Sequence, residues 1–533
     1  MGSQPPPVHK RLIVCCDGTW MNSDNGYVEP TLQHPQPTLQ VPSNVTRISR
    51  CFKRRCNDGT LQVMSYESGV GTGSNAIDTI TGGAFGLGLS ERVREAYSYL
   101  CANHIDGDEI FLVGFSRGAF TARSVAGMVG SLGLLTREGL EYFYPIFKDM
   151  ENWNNDKYDD EFPGQPFPNK PKGPNAAAEY RARLEKLGYT RVKQENGELI
   201  KIKAVCVWDT VGSLGIPKEA NCRSTYKWHD TSISDRIEHA FQALALDETR
   251  TPFSPAVWER LPQNKMTTDL RQVWFPGNHA NCGGGWPDQE AADSSLAWMM
   301  DQMASVGVEF DLSCLERVAQ KTIGYYQSLK ATKNGPKWAV DPIYSENRPV
   351  RPWALGSINK ADSFLYKLSG FDDRTPGLYK RIDPKTDRDT NIFLQDTNER
   401  IHSSARVRLA CNGLGLDDKA VWTCPSLASW QLKHTNETYE DPIPRNPSWW
   451  QGPPDESGVD KQQGGRWVWE YAGPQSSAPT DPKQRILVEE PLGPYERYLL
   501  QLSAGTPNVY LFAETQDIVW QGKKIPALRS AKQ

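Results

Sequence analysis

The 533-residue sequence predicts an α/β fold: a mainly parallel sheet with helices on both faces. Three observations point there. Short, continuous apolar runs recur along the first 335 or so positions, as strands buried on both faces require. Segments with apolar residues three and four apart lie between them. Each run stops at a polar or glycine-rich turn, which is where sheets of this kind gather their chemistry.

Arg11–Cys16 (RLIVCC) is the first strand, ended by Asp17-Gly18. Leu61–Tyr66 alternates well enough for a second and leads into Gly69-Val70-Gly71-Thr72-Gly73. A helix follows, with Val93, Ala96, Tyr97 and Leu100 on one face. Glu109–Val113 (EIFLV) is the third strand, and the small-residue run Ala119–Val129 is the helix after it. From about 143 to 178 the chain is polar and studded with proline, too poor in periodic apolar positions for a core. Lys203–Trp208 is the fourth strand and ends at Asp209. The spacing of Ile237, Ala240, Phe241 and Leu244 predicts a helix over 233–246. Gln272–Phe275 is a fifth strand, and Leu296, Met299, Met300 and Met303 mark a further helix.

The expected organisation is a flexible leader over 1–9 and a core over 10–334, with a loop-rich insertion at about 143–200 as a lid. Residues 335–533 form an elaboration rich in Trp, Pro and Gly, in which Arg466–Tyr471 alternates like an antiparallel strand. Sixty basic against 64 acidic residues leave no basic stripe for a nucleic-acid partner. No window approaches 18 apolar residues, and the N-terminus lacks the apolar stretch of a secretory signal, so the expected location is cytoplasmic. Eleven cysteines, an odd number without a paired framework, fit buried reduced thiols. The sequons at Asn44 and Asn436 then read as chance matches.

The motif with most chemical content is Gly114-Phe115-Ser116-Arg117-Gly118, between strand EIFLV and a small-residue helix. A serine in so sharp a strand-to-helix turn stands exposed above the sheet, and the next backbone N–H, that of Arg117, is placed to bind an oxyanion. The fold class narrows to an α/β-hydrolase-like sheet. A nucleophilic serine needs a base, and the base an orienting acid, in the chain order serine, acid, histidine. Asp209 and His279 both follow strands and satisfy that order; Asp247 is the alternative acid and His402 the alternative base. Gly18 or Thr19 would supply the second oxyanion N–H. His239 lies off the apolar face of its predicted helix and reads as surface. Gly69–Gly73 lacks the Lys-Ser/Thr ending of a phosphate loop, and no cluster has metal-ligand spacing, so neither cofactor nor metal is expected.

Five ordered motifs carry a family resemblance: Cys16–Trp20, Gly69–Gly73, Gly114–Ala119, Asp209–Ser213, and Phe275–His279 with Gly283-Gly284-Gly285. Over about residues 10–330 the chain resembles the α/β-hydrolase family that includes phospholipase effectors of bacterial type VI secretion and many fungal members. The resemblance implies ester hydrolysis with phospholipid as the substrate class, Ser116 as nucleophile, His279 as base and Asp209 as acid. The expected activity is hydrolysis of carboxylic esters, of phospholipids or other acyl lipids, through an acyl-enzyme, with transient contact at a membrane surface. Two alternatives stand beside it: a catalytically silent binding or scaffold protein, and an acyltransferase using the same triad.

Overall fold

Successive residues of the first strand, β1 (Lys10–Cys16), enter opposite sides of the molecule. Ile13 and Cys15 join one apolar cluster, and Leu12, Val14 and Cys16 the other. A strand covered on both faces must read as a continuous apolar run. The structure, a computed structural model, describes residues 9–19, 21, 26–28, 30, 36–69, 84–155, 157–211, 232–329, 351–359, 370–383, 388–444, 447–459, 465–503 and 508–529. Most of the leader, Trp20, the Val70–Gly73 motif residues, Gly212 and Ser213 lie outside the described residues.

The central sheet has ten strands. In chain order they are β1, β2 (Leu61–Glu67), β3 (Glu109–Phe115), β4 (Ile202–Trp208), β5 (Ile237–Ala245), β6 (Asp269–Phe275), β7 (Glu399–His402), β8 (Trp430–Thr435), β9 (Arg466–Tyr471) and β10 (Ile486–Glu490). Their spatial order is β8-β9-β10-β7-β6-β5-β4-β3-β1-β2. From β2 to β10 every neighbouring pair is parallel, and β9 and β8 continue the sheet antiparallel.

Helices cover both faces. On one side lie α1 (Asn44–Ser49), α7 (Glu290–Ala304), α8 (Leu312–Ser328), α9 (Ser403–Ala410) and α10 (Pro494–Leu502), packed on Phe111, Trp208, Phe241 and Trp274. On the other lie α2 (Ala84–Asn103) and α3 (Arg117–Leu132), packed on Ile110, Leu112, Val205 and Val207.

Four expectations change. The segment predicted as a helix over 233–246 is strand β5, inserted between β4 and β6. Its residues Ala240–Ala245 are all buried, and a run apolar on both faces matches a helical face as well as a strand. His239 therefore sits on a strand, half-buried, with Nδ1 3.4 Å from Asp269 Oδ2.

The polar stretch after 143 opens with a core helix, α4 (Phe143–Asn152). Phe143, Ile146, Phe147 and Met150 are buried at i, i+3, i+4 and i+7, and the Phe143 ring packs tilted against Tyr97 of α2 with centroids 5.2 Å apart. Helix α5 (Ala176–Lys186) buries Tyr180 and Leu184 in the same layer.

Residues beyond 335 supply β7 to β10, which widen the sheet, as well as α9 and α10, which cover one of its faces. Finally, Cys51 and Cys314 are bonded, with Cα atoms 5.3 Å apart. The Asp311 N–H donates to the Cys51 carbonyl at 2.7 Å, which brings the end of α1 to the first turn of α8. Cys15, Cys16, Cys56, Cys101, Cys206, Cys282, Cys411 and Cys424 are free and buried.

Candidate active site

The chain turns from β3 into α3 through a single residue, Ser116, whose φ of 57° and ψ of −119° lie outside the regions a serine ordinarily adopts. Such a conformation persists only where its surroundings hold it. The Ser116 N–H donates to the Trp208 carbonyl at 3.1 Å, and its own carbonyl accepts from Phe120 N at 3.2 Å. The following helix can come this close to β1 only because residue 118 has no side chain. A Cβ on Gly118 would lie 2.1 Å from the Cys16 carbonyl oxygen. Arg117 is the first residue of α3, where backbone N–H groups point out of the helix end.

Asp209 directly follows β4, the strand beside β3, and is fully buried with φ at 42°. Its Oδ2 lies 2.5 Å from His279 Nδ1, and its Oδ1 accepts from Ala245 N at 3.0 Å. Arg374 closes the other side, with Nη1 2.5 Å from Oδ1 and Nη2 2.9 Å from Oδ2. Burial by itself would raise the Asp209 carboxyl, but the Arg374 charge and then His279 hold it well below the usual carboxylate range.

His279 is the first residue of α6 (His279–Gly283), which is capped by Asn278 accepting from Ala280 N and Asn281 N, both at 3.1 Å. The backbone N–H of His279 donates to Glu248 Oε2 at 3.2 Å. Its ring is held between Phe115 and Phe253, with centroids 4.7 and 4.9 Å away. The other ring nitrogen, Nε2, is buried and has no hydrogen-bond partner among the described residues. Ser116, Asp209 and His279 thus follow the carboxyl ends of β3, β4 and β6 as one shell: Asp209 contacts His279, Phe115 packs on the His279 ring, and the Ser116 N–H is bonded to Trp208, next to Asp209.

The turn after β1 abuts this shell: a Cβ on Gly18 would lie 3.5 Å from the Ser116 Cβ. Its anchor is Asp17, 3% exposed, which accepts from Ser43 Oγ at 2.6 Å, Thr46 Oγ1 at 2.6 Å, Tyr66 Oη at 2.5 Å and Gly18 N at 2.6 Å. The Gly18 N–H is therefore engaged with Asp17. Thr19 Oγ1 accepts from Arg117 Nη1 at 3.1 Å.

The alternative acid and base lie elsewhere. Asp247 accepts from Gly277 N at 2.6 Å and Trp422 Nε1 at 2.9 Å, and so fastens the loop that carries His279. His402 ends β7, fully buried, with Nδ1 2.7 Å from Ser404 Oγ and Nε2 2.7 Å from Glu496 Oε1. Both its nitrogens are taken. Among the described residues one group, Cys56, Asp58 and Glu309, has metal-ligand spacing. Arg11 already donates to Cys56 Sγ at 3.1 Å and Lys53 pairs with Glu309 at 2.9 Å, so cations of the chain fill that site.

The T6SS phospholipase effector Tle1-like catalytic domain matches residues 10–302. The chain belongs to this family. All three residues of the Ser116 shell fall inside the match, whereas Arg374 and Trp422 fall outside it. The chain is also 22% identical to the uncharacterized protein YEL023C of Saccharomyces cerevisiae over 546 residues, covering 78% of this chain and 72% of the yeast protein.

Among solved structures, the Tle1 effector bound to the VgrG spike of the type 6 secretion system is similar at 16% identity and a TM-score of 0.26, covering 52% of this chain. An uncharacterized protein from Pseudomonas aeruginosa is similar at 14% identity and a TM-score of 0.32, covering 61% of it. The chain spans about half the length of each of those two proteins, 51% in both cases.

A cavity of about 720 Å³ opens beside Glu248 and Asn278, which flank His279. Ile358, Phe371, Leu416, Val421 and Trp422, all beyond the family match, line it. No helix among the described residues is long and apolar enough to cross a membrane.

Proposed function

We propose that the protein is a serine hydrolase that cleaves carboxylic esters of acyl lipids, phospholipids being the substrate class the Tle1-like family favours. The observation that carries this reading is the 2.5 Å contact between Asp209 and His279 beside the strained Ser116 turn. Asp209 fixes the His279 ring so that Nδ1 carries the proton and Nε2 is left as a base. Nε2 takes the Ser116 proton as Oγ attacks the ester carbonyl. Charge then develops on the carbonyl oxygen, where N–H groups at the start of α3 and in the turn at Thr19 receive it; each such donor is worth roughly 10²–10³ in rate. His279 returns the proton to the leaving alcohol, and water hydrolyses the acyl-enzyme by the same path in reverse.

The cavity beside Glu248 and Asn278, with its apolar residues from the C-terminal part, suits the acyl chain. Contact with a membrane surface would be transient and peripheral.

The test is a panel of p-nitrophenyl esters and phospholipids on wild type and Ser116→Ala, with fluorophosphonate labelling in parallel. Wild type is expected to turn over ester and take the label, and Ser116→Ala to do neither. Labelling or turnover that survives the substitution sinks the assignment. Wild-type protein that neither labels nor turns over any ester favours the binding-protein reading instead.

A further inference from the structure

Arg374 comes from a segment with no motif of its own and beyond the family match, yet it makes the closest set of contacts to the Asp209 carboxylate. Its guanidinium donates to both carboxylate oxygens, to the Ala245 carbonyl at 2.7 Å and to the Phe253 carbonyl at 2.7 Å, with its side chain 3% exposed. Asp209 Oδ2 is therefore shared between Arg374 Nη2 and His279 Nδ1. A purely structural counter-ion would neutralise a buried carboxylate anywhere along its edge. This one occupies the oxygen that must stabilise a protonated imidazole.

Resting on the hydrolase reading, we infer that Arg374 is a positioning residue of the site. It fixes the plane of the Asp209 carboxylate toward His279 and draws part of that carboxylate's charge away from the imidazole. The reasoning is electrostatic. An aspartate facing an imidazole favours the imidazolium, and a cation on the far side of that aspartate opposes it.

The other charged and titratable groups around the pair do not undo this. Glu248, which accepts from the His279 backbone, is itself bound by Arg250 through both oxygens, at 2.8 Å each. Burial pushes up the Cys282 thiol on α6 and the Tyr379 hydroxyl beside Arg374, which keeps both neutral. Burial also raises Asp247, whose oxygens face Gly277 and Trp422 rather than the imidazole.

The experiment is the pH profile of kcat/KM for a short-chain p-nitrophenyl ester on full-length wild type, Arg374→Gln, Arg374→Lys and Ser116→Ala. Removing the charge in Arg374→Gln should move the acidic limb up by about one pH unit or more. Arg374→Lys keeps the charge and loses the two-pronged contact, so its limb should stay near wild type while kcat falls. A folded Arg374→Gln whose limb superimposes on wild type overturns the inference and leaves Arg374 a structural counter-ion. Should Arg374→Gln not fold, Arg374→Lys decides: a folded Arg374→Lys with wild-type kcat overturns the positioning role, and a lowered kcat with an unmoved limb supports it. Ser116→Ala keeps the two ideas apart: turnover that survives there defeats the hydrolase reading itself, whatever Arg374 does.

Discussion

Ser116 and Asp209 directly follow neighbouring parallel strands, and both turn through positive φ, 57° and 42°. Each non-glycine residue held this way costs about 1–3 kcal/mol. Two such residues side by side, one facing the other's strand end, mark where the sheet gives up stability for geometry.

Relief of that strain is measurable. Ser116→Gly should be more stable than Ser116→Ala by about 1 kcal/mol, because glycine adopts positive φ without penalty. Both should be inactive. Urea denaturation of the two variants checks the first claim, and equal midpoints would show that the turn is not strained.

Asp209→Asn should lose function and stability together. The amide cannot hold His279 in the required tautomer, a defect worth about 10⁴ in kcat in such triads. It also leaves the Arg374 charge buried without its partner, which costs about 3–5 kcal/mol. Turnover and denaturant midpoints measured on the same preparation separate the two effects. A variant as stable as wild type would contradict the ion pair.

Gly118→Ala tests the close approach of α3 to β1. The new Cβ would lie 2.1 Å from the Cys16 carbonyl oxygen and 2.5 Å from that of Asp17, both backbone atoms that cannot turn aside. A loss of about 1–3 kcal/mol and a sharp fall in turnover are expected. Gly164→Ala, where a Cβ meets nothing within 4 Å, is the matched control and should be neutral or slightly stabilising.

Glu290 gives the stability a pH dependence. It accepts from Ala354 N at 2.7 Å and Gly356 N at 2.6 Å, but burial, with Asp288 nearby, pushes its carboxyl up to about 8. A group raised on folding stabilises fully below its unfolded value, near 4.3, and that contribution fades as pH rises toward 8. Between pH 5 and 8 wild type should therefore lose on the order of 1 kcal/mol per pH unit more than Glu290→Gln. Parallel stability curves for the two proteins would exclude this.

Much of the sheet was legible because β1, β3, β4 and β6 are short apolar runs that stop at chemically marked turns. The strained turn at Ser116 and the contact between Asp209 and His279 lie at positions marked in the same way, since each residue follows such a run. Strand β5 was not, since Ala240, Phe241 and Leu244 fit a helical face equally well once both sides are buried. Strand β7 was hidden by its composition. Glu399, Arg400, Ile401 and His402 look like surface, yet Trp274 Nε1 donates to Glu399 at 3.0 Å and Arg400 pairs with Glu490 at 3.2 Å, so the charges are satisfied inside. Arg374 carries no local signal at all. Its contact with Asp209 forms only because the fold brings together two positions 165 apart in the sequence. The bond between Cys51 and Cys314, 263 residues apart, was hidden in the same way.

The join between β6 and β7 has a practical consequence. The family match stops at residue 302, inside α7, but Gln272, Val273 and Trp274 pair with Glu399, Arg400 and Ile401 across the sheet. A fragment ending at 302 would present the β6 edge bare, a ready template for pairing with other chains. It would also lack the guanidinium that neutralises Asp209. The family match ends at 302, but the pairing of β6 runs to residue 401, so a fragment must reach past it to keep that edge covered.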